Sequence, residues 1–96
     1  MKFRIETKEN LLGLGRAIGY RLIGGTETEL SLVRPAAEGE YPRFHIYVKR
    51  EGGFLAFNLH LDQKRPSYQG HTAHSGEYDG PIIEDGAARI SARLIS

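Results

Sequence analysis

All four histidines of the chain, His45, His60, His71 and His74, and the carboxylates of Asp62, Glu77 and Asp79 fall between residues 45 and 79. Imidazole nitrogen and carboxylate oxygen are ligands that hold zinc without sulfur, four in a closed site or three plus water in a catalytic one. The chain has no cysteine, so a transition-metal site must be built from these side chains. His45, His60, Asp62, His71 and His74 are the candidate ligands, and zinc is the first choice among divalent metals because imidazole with carboxylate suits it. His71 and His74 are three residues apart, which does not match the helical H-E-x-x-H arrangement of metalloproteases. If the site is hydrolytic, His45, His60, Glu77 and Asp79 are the candidate catalytic groups.

Two further readings use the same region without a metal. Two histidines can divide base and acid roles in phosphodiester cleavage, with Arg43, Lys64 or Arg65 stabilising the added negative charge. Arg43, Tyr47, Asn58, Lys64 and Arg65 would then contact an RNA substrate. Residues 41–65 hold five basic side chains against two acidic ones, about +3, which favours this reading. The whole chain, with 13 Lys and Arg against 12 Asp and Glu, carries only +1, which opposes it. The last reading is a non-catalytic module that forms a homodimer through a face made less polar by Tyr47, Phe54 and Ala56. Against all three stands a solvated sheet face on which histidine is merely tolerated. The glycines match neither the dinucleotide nor the Walker spacing, and Ser67 and Ser75 are expected in turns, with no nucleophile elbow nearby.

The elements that must position these residues are legible in part. At 96 residues a single domain, 1–96, with one two-layer core is expected. In "MKFRIE", Met1, Phe3 and Ile5 alternate with charged residues and predict a strand. Thr7 or Asn10 then caps a helix carrying Leu11, Leu14 and Ile18 at helical spacing, with Gly19 as its stop. Gly24 and Gly25 mark a turn, "TELSLV" predicts a strand and the Pro35 to Pro42 interval a loop. "RFHIYVKR" and "FLAFNLHLD", separated by Glu51, Gly52 and Gly53, predict a hairpin. With a two-residue turn, Val48, Ile46 and Phe44 oppose Phe57, Leu59 and Leu61. On the other face Tyr47 opposes Asn58, His45 opposes His60, and Arg43 opposes Asp62. A one-residue slip would set apolar against polar along the ribbon. Residues 63–80 show no periodicity and read as a long loop. "PIIEDGAARISARLIS" predicts a helix opened by Pro81, with Ile83, Ala87, Ile90 and Leu94 on one face.

The order β-α-β-β-β-α gives an α+β two-layer sandwich, an antiparallel sheet of three to four strands with two helices on one face. The N-terminus lacks a signal-peptide core and no apolar run approaches the roughly 20 residues of a membrane span, so a soluble, cytoplasmic protein without membrane contact is expected.

The run "YPRFHIYVKREGGFLAFNLHLDQKRPSYQGHTAHSGEYDG" and the helix after it resemble a family of small bacterial proteins sharing PRFHxY, FNLHLDQKxPSY and AHSGEYDG. The resemblance covers residues 41–96 well and "RAIGYR" more loosely, and it implies membership without an activity. A fainter similarity is to HicA-type toxins, RNA-cleaving proteins with a double-stranded-RNA-binding-like α-β-β-β-α fold and a catalytic histidine. The Gly-Ser-His element of those toxins is absent and an N-terminal strand is added, so no catalytic residue carries over.

Overall fold

A computed structural model describes residues 1–63, 76–77 as backbone, and 80–95. The chain runs β1 (Lys2–Glu6), α1 (Leu11–Ile18), β2 (Arg21–Gly25), β3 (Glu29–Pro35), β4 (Arg43–Glu51), β5 (Phe54–Asp62), β6 (Gly76–Glu77) and α2 (Pro81–Ile95). The strands form one antiparallel sheet in the order β1-β5-β4-β3-β2, with β6 also pairing β5.

The α+β class and both helices are as expected, but the sheet is larger than the expected three to four strands. Arg21–Gly25, read as the approach to a turn, is an edge strand opposite β3, with a register shift between Leu22 and Gly24. All its residues are exposed, so no buried alternation announces it. Its pairing comes from backbone hydrogen bonds to β3, which leave no pattern in side-chain polarity. The two-residue β6 is likewise too short to signal itself.

The β4–β5 register agrees with the sequence reading at every pair, from Glu51 opposite Phe54 to Arg43 opposite Asp62. Gly52 turns the chain at φ 62°, which favours glycine. Leu55, Phe57, Leu59 and Leu61 of β5 join Phe44, Ile46 and Val48 of β4 in the core. β1 adds Ile5 and a Phe3 ring stacked on Phe57 at 4.9 Å. Leu14 and Ile18 of α1 and Ile83 and Ile90 of α2 close the core from one side. Each of these four is fully buried.

Side chains and backbone fix the helix ends. Asn10, rather than Thr7, caps α1, its Oδ1 accepting from Gly13 N at 2.8 Å. Gly19 ends it at φ 78°, and Arg89 of α2 donates to the Ile18 carbonyl at 2.6 Å, satisfying one orphan acceptor of that terminus. Arg50 donates to the carbonyls of Thr7 (2.8 Å) and Glu9, holding the β1–α1 connection against the hairpin. Among the described residues no helix is long and apolar enough to cross a membrane.

Gly86 lowers helix propensity by up to about 1 kcal/mol, yet a Cβ there would stand 2.8 Å from Phe44 Cε1. The ring edge lies directly against the helix backbone. Gly86→Ala is therefore expected to destabilise the fold by about 1 kcal/mol, because overpacking a buried ring costs more than the helix gains. Urea midpoints would check this, with Phe44→Leu expected to make the alanine tolerable.

Candidate functional site

The face of the sheet away from the helices takes the alternate side chains: Lys2 and Arg4 from β1, Ser31 and Val33 from β3, Arg43, His45, Tyr47 and Lys49 from β4, and Ala56, Asn58, His60 and Asp62 from β5. His45 and His60 are direct cross-strand partners, as the hairpin register requires. They are only 8% and 9% exposed, so the rings do not sit on a wet face. A buried imidazole needs partners for its nitrogens, and the structure supplies them at both nitrogens of His45 and at Nε2 of His60.

Asp62 is the hub. Its Oδ2 lies 3.1 Å from His45 Nδ1 and its Oδ1 3.2 Å from His60 Nε2. Arg43 Nε points at the same Oδ2 from 3.5 Å while its guanidinium stacks over the Tyr41 ring at 4.8 Å. A carboxylate only accepts, so in this arrangement His45 Nδ1, hydrogen-bonded to it, carries the hydrogen, while His60 Nε2 stands at ion-pair distance. The other side of His45 is engaged too, with Nε2 2.6 Å from Ser31 Oγ. The His45 and His60 ring centroids are 4.7 Å apart, and Tyr47 packs against them at 4.6 and 5.7 Å. Burial pushes the His60 pKa down from its ordinary value; Asp62 opposes that shift, while His45 and Arg43 reinforce it.

One donor atom from each of His45, His60 and Asp62 lies within 4.8 Å of the others, a group able to hold a metal ion. Around tetrahedral zinc, with ligand bonds of 2.0–2.2 Å, donors stand about 3.4 Å apart. The carboxylate is already close to that distance from both rings, at 3.1 and 3.2 Å, so a cation would replace the hydrogen that His45 now shares with Asp62. Arg43 opposes a dication by charge and the carboxylate between them offsets it.

Of the other expected ligands and contacts, Lys64, Arg65, His71, His74 and Asp79 lie outside the described residues. Glu77 is placed only as backbone, opposite Leu61 in β6, so the chain beyond Asp62 returns beside the site end of β5. Asn58 lies two positions from His60, opposite Tyr47, on the same face.

Ser31 went unforeseen from the sequence. Its place between Leu30 and Leu32 assigns it to the polar face, but the loop between β3 and β4 is too long to set their register. The pairing of Ser31 with Tyr47 and of Val33 with His45 is therefore visible only in the fold. Ser31, His45 and Asp62 reproduce the hydrogen-bond order of a serine nucleophile, its base and the carboxylate that orients it. Ser31, however, lies within a strand paired on both edges, where backbone N–H groups serve the ladders rather than an oxyanion hole.

No protein-family model, curated protein or solved structure matches the chain.

The lowered His60 pKa sets the direction of one pH dependence. Between the folded value and about 6.5 the unfolded chain binds more protons than the folded one, so stability rises with pH across that interval. The penalty is complete below the folded pKa and gone above about 6.5. Urea midpoints from pH 5 to pH 8 should rise for the native protein and rise less for His60→Gln. NMR should place the His60 titration below that of a free histidine; a titration at or above the free value would contradict the burial described.

Proposed function

We propose that this protein binds a divalent metal, zinc first, through His45, His60 and Asp62. The observation that carries the reading is the convergence of two buried imidazoles on one carboxylate at 3.1 and 3.2 Å. Buried rings held in fixed orientations lose little freedom on ligation, and the set is neutral nitrogen plus anionic oxygen, which suits zinc. Three protein ligands leave a position for water, and zinc there would supply the acidity that hydrolytic chemistry needs. His45, His60 and Asp62 would hold the ion, Arg43 would orient the carboxylate, and Tyr47 would exclude water from one side of the rings.

Elemental analysis followed by zinc titration of the chelator-treated protein tests this directly. One zinc per chain is expected. Asp62→Asn, which keeps the side chain's size, and His60→Ala should each weaken binding by more than about 100-fold while preserving the circular dichroism of the fold. Unchanged zinc affinity in both variants would dispose of the reading.

A second reading is favoured by a cavity of about 710 Å³ on the same face, continuous with Tyr47 and Asn58 and lined by Lys2, Arg4 and Lys49. Exposed cations beside an aromatic ring suit a single-stranded nucleic acid, with a base on Tyr47 and phosphates on the basic residues. Glu51, 3.7 Å from Arg4 and 3.6 Å from Lys49, and Glu29, which also lines the cavity opposite Lys49, reduce that attraction. Binding of an unstructured oligoribonucleotide should weaken steeply with salt and fall further in the Lys2→Ala, Lys49→Ala double variant. A salt-insensitive interaction, or none, would end this second reading.

A further inference from the structure

The His45 ring is gripped at both nitrogens, Nδ1 by Asp62 and Nε2 by Ser31. The metal-free arrangement and a zinc-loaded one make opposite demands on that ring. With Asp62 accepting, Nδ1 carries the hydrogen, Nε2 offers its lone pair and the Ser31 hydroxyl must donate. With zinc between the rings, Nδ1 must offer the lone pair, so a neutral ring carries its hydrogen on Nε2 and needs an acceptor there. A backbone carbonyl or a carboxylate would satisfy only the second state, and an amide N–H only the first. A hydroxyl serves both, since it is one donor and two acceptor lone pairs on a rotating bond.

We propose that Ser31 is a positioning residue that allows His45 to exchange its hydrogen bond to Asp62 for a metal bond without leaving its place. In the metal-free protein Ser31 donates to Nε2. On loading, the Nδ1 proton passes to solvent, one proton is taken up from solvent at Nε2, the ring stays neutral, and the Ser31 hydroxyl turns to accept. The 2.6 Å separation and the half-buried setting keep that partner in reach through the exchange. An orienting partner on the far nitrogen of a metal-bound imidazole is worth about 10- to 100-fold in affinity. This inference rests on zinc binding at His45, His60 and Asp62, and it adds a residue that touches no metal and selects which nitrogen of His45 does.

Long-range nitrogen–proton NMR of the histidine rings, on the full chain at about pH 8, well above the ordinary imidazole pKa of about 6.5, separates the two tautomers. Without metal the native protein should show His45 as the Nδ1–H form. After one equivalent of zinc(II) it should show Nε2–H with Nδ1 ligated. Ser31→Ala should weaken zinc binding about 10- to 100-fold, and Ser31→Thr, which restores the hydroxyl on a strand that tolerates branching, should recover most of it. The native spectra decide the tautomer exchange even if the alanine variant fails to fold. If zinc binds the native protein and Ser31→Ala equally, or if His45 ligates through Nε2, the role of Ser31 is overturned and the metal site stands. If the native protein takes up no zinc, the metal reading falls and the Ser31 inference with it.

Discussion

The Gly52–Gly53 turn sets the register of the hairpin, and the rest of the molecule depends on that register. With Glu51 opposite Phe54, every apolar residue of β4 meets an apolar residue of β5, and the polar set is brought together on the opposite face. A slip by one residue would break the core and the His45–His60–Asp62 group at once, because strand side chains alternate with a period of two. Fold stability and the arrangement of the site are thus secured by the same pairing. The apolar side supplies the energy, through fully buried Ile46, Val48 and Leu59, and the polar side inherits its geometry.

Around that hairpin the remaining elements have divided tasks. β1 and the helices complete the core, with Phe3 stacked on Phe57 and with Gly86 left bare so that Phe44 can reach the backbone of α2. β3 contributes to both faces. Leu32 enters the core, while Ser31, one position earlier, holds the far nitrogen of His45. Two imidazoles below 10% exposure, converging on one carboxylate at 3.1 and 3.2 Å, form a more ordered group than a solvated sheet face needs. Desolvation lowers the affinity of His60 for a proton and keeps its neutral form, the form that ligates a metal.

Much of this was legible in the residues themselves. The alternation in "RFHIYVKR" and "FLAFNLHLD" with two glycines between them determined the hairpin, its faces and the adjacency of His45, His60 and Asp62. Asn10 and Gly19 marked α1, and the spacing of Ile83, Ala87, Ile90 and Leu94 marked α2. These signals are local, arising from turn chemistry, capping and periodicity within one or two elements. Tertiary structure decided what depends on distant pairing. The β3–β4 register brings Ser31 to His45 from 14 positions away. β1 closes beside β5 rather than beside β2, and the exposed Arg21–Gly25 segment becomes a strand because an edge of β3 is open to it. The burial of both histidines also emerges only in the folded chain. Neither backbone pairing between remote segments nor the covering of a face is written in the polarity of the residues concerned.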